Sequence, residues 1–282
     1  MKTYISLTTV PERIKNWNSF QENLKSLVNQ KTLVDYQIIL TIPEHYSIKN
    51  EPYEIHSDLA NFIENNPKII LNRKTVDYGP ITKVIGALSI SSDPNDTLIV
   101  CDDDHKYNEG MIDYHLKMQE KYNSKAVICF RGDIPAEKVL LNPDSDDKKY
   151  QLRPCHTYFP VREDFRLVIP GHWHSVSYKR GYFGEDFLDP NFLSLADNDD
   201  LLIAYYFKKK GKPIICANWE NETDYTPVND NGRPAWSFPI DWALSHHASG
   251  FDEFRRITSD QNGRLKKELF DFITDNSIIY EE

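Results

Sequence analysis

Residues Thr97 to Tyr107 read TLIVCDDDHKY. Leu98 to Cys101 are apolar or small, and they run straight into three carboxylates, Asp102, Asp103 and Asp104. The polar DPND, Asp93 to Asp96, precedes them, so the apolar run reads as a short buried strand. A strand that is apolar on both faces belongs inside a parallel sheet. The carboxylates then stand at its C-terminal end, the edge where open α/β sheets bind ligands. Adjacent carboxylates repel one another, and burial of any one raises its pKa. A positive group is expected to offset them, and oxygen-only ligands suit a hard cation, Mg²⁺ or Mn²⁺. Mg²⁺ is usually held by one or two carboxylates plus substrate phosphates, so a nucleoside diphosphate is a natural companion. The plainer alternative is a solvated acidic turn after a strand.

Working outward, the flanks alternate strand and helix. Toward the N-terminus, Tyr4 to Leu7 reads as a strand entering the loop TTVPER, Thr8 to Arg13. Ile14 to Asn29 carries Ile14, Trp17, Phe20, Leu24, Leu27 and Val28 at helical spacing. Tyr36 to Ile42 is a second strand, Leu59 to Ile63 a short helix and Lys68 to Leu71 a third strand. Gly79-Pro80 makes a turn, and Thr82 to Ser89 a helix. Beyond the triplet come a helix over Gly110 to Tyr122 and a strand over Ala126 to Phe130. This alternation predicts an α/β fold, a mixed, mostly parallel sheet flanked by helices, with a Rossmann-like N-terminal half.

After Gly132 the pattern weakens. Asn142 to Tyr150 reads as a polar loop, Phe165 to Ile169 and Ser175 to Tyr178 as strands, and Leu201 to Lys209 as a helix closed by Gly211. A strand follows in KPIICAN, and Gly263 to Thr274 forms an amphipathic terminal helix. No linker cuts the chain, so a single domain over 1–282 is expected.

Bulk properties narrow the function. With 282 residues, 40% hydrophobic, and five Trp, the chain can bury a sizeable core. Its net charge of -10 argues against a nucleic-acid binder, which would carry a basic stripe. Cys101, Cys129, Cys155 and Cys216 form no CxxC and read as buried thiols in a reducing compartment. The start, MKTYISLTTVPERI, lacks the apolar core of a signal peptide. No run approaches the roughly 18 apolar residues of a membrane span. A cytoplasmic protein, compatible with peripheral association with a membrane, is expected.

Several segments could join the triplet. TTVPER and DYGPITK both follow strands and so fall on the same sheet edge. Thr8, Thr9 and Arg13 offer hydroxyls and a guanidinium to a nucleotide; a surface ion pair with Glu12 or Glu22 is the other reading of Arg13. Lys83, in the first turn of a helix, can hold phosphate oxygens beside free N–H groups. Asp77, next to Tyr78, could accept from a base or ribose, or simply cap the turn. ADNDDLLIAYYFKKKG sets Asp197, Asp199 and Asp200 just before a helix, as caps or as a general base toward an acceptor hydroxyl. In GHWHSVSYKRGYF, His172 and His174 would share one face of a strand, and Trp173 could stack on a sugar. His246 and His247 are further candidates.

Together these segments resemble nucleotide-sugar-dependent glycosyltransferases with the GT-A fold, of a bacterial and large-virus branch. The triplet resembles that family's DxD motif, and SLTTVPERI, DYGPITK and the acid pair before a helix resemble its companion motifs. The resemblance spans roughly Ile5 to Cys216. It implies that Asp102 touches the ribose or the metal and that Asp104 binds the divalent ion, with Asp103 between them. It implies nucleotide contacts at Thr8, Pro11 and Arg13, with Asp77, Tyr78 and Lys83 nearby. In inverting members the acid pair supplies the base, which points to Asp200, then Asp199. A late histidine, His247, would complete the metal site, and His172, Trp173 and His174 would line the acceptor side, where relatives often have a Gly-rich loop. Residues 1–132 would bind the nucleotide sugar, a UDP-sugar being favoured, and 133–282 a glycan, lipid-linked or protein acceptor. Two alternatives stand beside this reading. One is a metal-dependent nucleotidyltransferase, disfavoured because TTVPERI has no glycine. The other is a non-catalytic carbohydrate-binding protein.

Overall fold

The computed structural model describes residues 1–47, 49–73, 75–135, 152–155, 165–166, 169–195, 198–217 and 237–239. The N-terminal part runs β1 (Thr3–Thr8), α1 (Pro11–Lys15), α2 (Trp17–Val28), β2 (Tyr36–Thr41), β3 (His45–Tyr46), β4 (Glu51–Pro52), α3 (Ser57–Glu64), β5 (Ile69–Asn72), α4 (Thr82–Ile90), β6 (Thr97–Val100), β7 (His105–Tyr107), α5 (Met111–Lys121) and β8 (Val127–Cys129). There follow β9 (Gly132–Pro135), β10 (Leu152–Cys155), β11 (Phe165–Arg166), β12 (Ile169–Pro170), β13 (Val176–Lys179), α6 (Pro190–Leu193), α7 (Asp199–Lys209), β14 (Ile214–Cys216) and β15 (Ser237–Pro239).

Eight strands form one mixed sheet in the order β11-β14-β8-β13-β6-β1-β2-β5. Six of them run parallel; β13 and β11 run against the rest. The mostly parallel α/β architecture expected from the alternation is therefore present, and its sheet draws strands from both halves of the chain. The strand sequences explain how both faces are covered. In β1, Ile5 and Leu7 point to one side, with Ile38 and Leu40 of β2, against Phe20, Leu24 and Leu27 of α2 and Met111, Ile112 and Met118 of α5. Tyr4, Ile39, Leu98 and Val100 point to the other side, against Val84 and Leu88 of α4 and Leu202, Ile203, Tyr206 and Phe207 of α7. Apolar residues at every position of a strand thus serve two opposite faces, as burial between helix layers requires. Helix α4 lies tight on β2: a Cβ built on Gly86 would stand 1.9 Å from Thr41 Oγ1.

Two expected elements are divided. The helix foreseen over Ile14 to Asn29 is broken at Asn16 (φ -90°, ψ 62°), with Pro11 opening α1 in its first turn. Of Phe165 to Ile169, the described residues belong to two sheets: Phe165 and Arg166 (β11) join the main sheet, and Ile169 begins β12, which pairs with β9. The terminal helix expected over Gly263 to Thr274 and the loop Asn142 to Tyr150 lie outside the described residues, as does the side chain of Cys155.

The connections position the site. From β1 the chain moves outward through β2 to β5, then returns along α4 to β6 on the opposite side of β1. The crevice at the C-terminal ends of β1 and β6 is therefore the topological switch point of the sheet, the usual place for a ligand in open α/β folds. Because β13 runs antiparallel to β6, with Val176 opposite Val100, its first residues lie at that same edge.

Candidate functional site

Asp102, Asp103 and Asp104 leave β6 at the switch point, as the strand reading requires. Their backbone is gripped from below. Asn23, buried on α2, donates through Nδ2 to the carbonyls of Asp102 (3.1 Å) and His105 (2.7 Å). The Tyr107 hydroxyl accepts from Asp102 N at 2.9 Å and lies 3.0 Å from Asp102 O. Sequence reasoning missed both residues. The signal for Asn23 was an amide among Phe20, Leu24 and Leu27 on an apolar helix face, where an unpaired amide would be costly.

Arg13 reaches across from α1 and forks between two acids, Nη1 to Asp103 Oδ1 and Nη2 to Asp104 Oδ2, each 3.1 Å. Its partners are therefore neither Glu12 nor Glu22 but the triplet itself. The second Asp104 oxygen meets His105 Nδ1 at 2.7 Å. The consequences for charge are opposite for neighbouring acids. Burial, with Asp104 and Asp102 beside it, pushes Asp103 up to about 6 against the pull of Arg13. Asp104 is held well below the usual carboxylate range: burial opposes this, but His105 and Arg13 prevail.

Lys83, expected at the start of α4, is almost fully buried and spans two acidic groups. Its Nζ is bonded to Asp102 Oδ1 and stands 2.8 Å from Asp199 Oδ2. Burial would lower its pKa, but Asp102, Asp199 and Asp200 together raise it, so it stays an ammonium. The strand-end triplet and the helix-start pair, far apart in sequence, thus meet through one side chain.

Asp199 and Asp200 are the first two residues of α7, and neither is its cap. That role belongs to Asn198, whose Oδ1 accepts from Leu201 N at 2.9 Å. The pair is free to face the crevice, where His172 Nδ1 lies 3.0 Å from Asp199 Oδ2 and 2.5 Å from Asp200 Oδ1. The His172 backbone N–H also donates to Asp200 Oδ1 at 3.2 Å, and His172 Nε2 lies 2.8 Å from the Tyr178 hydroxyl. Burial and Lys83 oppose protonation of His172, yet the two aspartates push it up to about 9. Asp200 is raised by burial and by Asp199; Asp199, despite burial, is held low by Lys83 and His172. His172, Asp199 and Asp200 offer ligand atoms all within 4.8 Å of one another, a group that could hold a metal ion.

The segment around His172 is not the strand expected from its spacing. His172 to His174 form a 3₁₀ turn ending at Ser175, whose φ of 73° is rare for a side-chain-bearing residue. The two histidines therefore diverge. His172, 1% exposed, turns into the acid pair. His174 meets Arg131 Nη1 at 2.6 Å and, through burial and that cation, lies well below its ordinary pKa. Trp173 lies under the Arg131 guanidinium, 4.1 Å from its ring centre, and its indole occupies the space a Cβ on Gly171 would need.

The remaining expected residues serve the frame of the crevice. Thr8 donates to Thr41 O at 2.8 Å, and Pro11 is buried at the start of α1. Asp77 closes the turn, accepting from Gly79 N through Oδ1 and from Ser47 N through Oδ2, both 2.9 Å. Tyr78 packs against the α4–α7 side of the core. Asp197, His246 and His247 lie outside the described residues. Among the described residues no helix is long and apolar enough to cross a membrane. No protein-family model matches the chain, and no curated protein matches it.

Proposed function

We propose that this chain is a metal-dependent, inverting glycosyltransferase of the GT-A type, moving a sugar from a nucleoside diphosphate, a UDP-sugar being favoured, to a hydroxyl acceptor. One observation carries the reading: carboxylates from the end of β6 and the start of α7 converge on Lys83 at the switch point of a mostly parallel sheet. A strand-end acid group suits a cation and a diphosphate, and a separate acid facing the same crevice suits proton removal from an acceptor.

The residues fit a divalent cation in kind. Asp102, Asp103, Asp104, Asp199 and Asp200 face Arg13, Lys83 and His172, which leaves surplus negative charge among hard oxygen donors. Asp102 and Asp104 would hold Mn²⁺ or Mg²⁺, which when bound offsets the charge of the departing diphosphate. Arg13 and Lys83, already drawn to these acids, are within the same group to meet phosphate oxygens. The acid pair supports a division of labour. Neighbouring groups pushed apart in pKa commonly mark acid–base assignments. Asp199 is kept ionised, whereas Asp200, raised and 26% exposed in its side chain, is the accessible proton acceptor. Trp173 and the Arg131 beside it line the acceptor side.

Thermal unfolding with UDP, GDP and CMP, each with and without Mn²⁺, tests the reading. The expected result is a rise in Tm that needs both a diphosphate and the metal and is lost in Asp104→Ala. Released diphosphate from a panel of nucleotide sugars then identifies the donor. No response to any nucleotide, with or without metal, would overturn the proposal.

A further inference from the structure

His172 is a buried imidazole with both nitrogens engaged. Its Nδ1 faces Asp200 at 2.5 Å and Asp199 at 3.0 Å; its Nε2 faces the Tyr178 hydroxyl at 2.8 Å. Tyr178 is itself fixed, fully buried on β13 and stacked on Phe207 of α7 at 5.6 Å between ring centres. Ser175 ends the turn that carries His172, in its rare backbone conformation, with its Oγ 2.8 Å from the buried His115 Nε2. A ring so enclosed is not presented to an acceptor.

We infer that His172 is a positioning residue, which holds the carboxylate of Asp200 in a single orientation toward the crevice and is itself held by Tyr178. The inference rests on Asp200 being the proton acceptor proposed above. Three fixed points define the arrangement. The His172 main-chain N–H and the Nδ1–H both donate to Asp200 Oδ1, which pins one oxygen of a side chain that stays 26% exposed. Asp199 Oδ2, 2.8 Å from Lys83 Nζ, lies 3.0 Å from the same Nδ1 and adds a second carboxylate on that edge of the ring. The Tyr178 hydroxyl holds the opposite ring edge. A general base must lie within hydrogen-bond reach of its proton, so freeing Asp200 lowers turnover without weakening donor binding.

Two substitutions divide the ring's two edges. Asn at 172 places an amide N–H near the position of Nδ1 but cannot reach Tyr178; Gln at 172 reaches toward Tyr178 and leaves Asp200 only the main-chain N–H. With the donor found by the diphosphate-release panel, His172→Gln should lower kcat by roughly 10- to 100-fold, with KM for the donor within about twofold. His172→Asn should recover to within about fivefold of the parent. Tyr178→Phe should cost less than His172→Gln. Thermal unfolding confirms that each variant is folded. Equal losses in the Asn and Gln variants, or a loss expressed in KM alone, would overturn the inference. Mn²⁺ binding followed by electron paramagnetic resonance should be unchanged in both variants; its loss would make His172 a metal ligand and would also overturn it. If no donor is turned over by the parent, the glycosyltransferase reading fails, and ¹⁵N imidazole spectra still decide the geometry. His172, assigned by its absence in His172→Asn, should show a protonated Nδ1 that shifts in Asp200→Asn. A bare Nδ1 would exclude the pinning of Asp200.

Discussion

The two acidic groups of the crevice obey the same electrostatics and arrive at different ends. In each, one carboxylate is kept charged by cations while a neighbour is pushed up. At the end of β6 the raised acid is Asp103, enclosed beneath Arg13 with 11% of its side chain exposed. At the start of α7 the raised acid is Asp200, the more open of its pair, 26% against 11% for Asp199. A raised acid that is sealed can only adjust the local charge, whereas one that is open can take a proton from a bound molecule. Under the proposed function, the strand end holds charge and the helix start moves it.

The comparison breaks most readily at Lys83, which touches both groups. Lys83→Met should leave Asp102 and Asp199 without their shared ammonium in a buried setting, costing roughly 3–5 kcal/mol. Urea unfolding measures the loss. Added Mn²⁺ should restore more stability to this variant than it gives the parent, because the ion then meets unpaired carboxylates. A variant within about 1 kcal/mol of the parent would mean that the two groups are electrostatically independent.

Next in size is the contrast between the two raised acids. Asp200→Asn should lower turnover by about 10²-fold, the usual scale for a general base, with metal-dependent nucleotide binding retained. Asp103→Asn should change turnover far less, since its carboxylate faces Arg13 and not the crevice. Equal losses would erase the distinction between sealed and open acids.

The pH dependence of stability separates the same groups in two windows. His172 is pushed up to about 9, chiefly by Asp199 and Asp200 working against burial and Lys83. Its stabilisation is complete below the unfolded value near 6.5 and is lost as pH rises through about 9. Asp103 is pushed up to about 6 by burial, so its preference for the protonated form fades between about pH 4 and 6. Asp104 and Asp199, both lowered, lose their contributions only at more acidic pH, as it falls below the unfolded value near 4. Each single-proton step has a slope of at most about 1.4 kcal/mol per pH unit. Urea midpoints across pH 4 to 9.5 should show both declines. His172→Asn should flatten the upper window, and Asp103→Asn should remove its own share of the lower decline while Asp200, also raised, keeps the rest.

Which parts of this were readable in the sequence follows from range. β1, β2, β6 and β8 are short apolar runs bounded by turn residues, and local patterning suffices to find them. The triplet's position at a strand end follows from the same pattern, and so does Lys83 in the first turn of α4. What was not legible depends on contacts between distant segments. Nothing local in Val176 to Lys179 says that it inserts antiparallel between β6 and β8, yet that insertion brings His172 to the crevice. The spacing of His172 and His174 suggested a shared face; Ser175 at φ 73° instead closes a 3₁₀ turn that sends them apart. Arg13 read equally well as a surface ion pair, because its true partners are ninety residues away.

The smallest test concerns the plainest alternative for the helix-start acids, that they are caps. In this structure Asn198 does that work: its Oδ1 accepts from Leu201 N at 2.9 Å, and its backbone is extended (φ -107°, ψ 115°) as a cap requires. Asn198→Ala should therefore cost about 1 kcal/mol, the ordinary value of an N-cap, and shift Tm by a few degrees. Asp199→Asn should differ in kind. An amide there keeps the first-turn position but gives up the charge that faces Lys83 and His172, so its cost should shrink as pH rises through the upper window and His172 loses its proton. The Asn198→Ala cost should stay constant across the same range, because no titrating group takes part in that bond. If Asp199→Asn instead matched Asn198→Ala in size and in pH profile, the acid would be serving the helix, and the open-against-sealed contrast would rest on Asp200 alone.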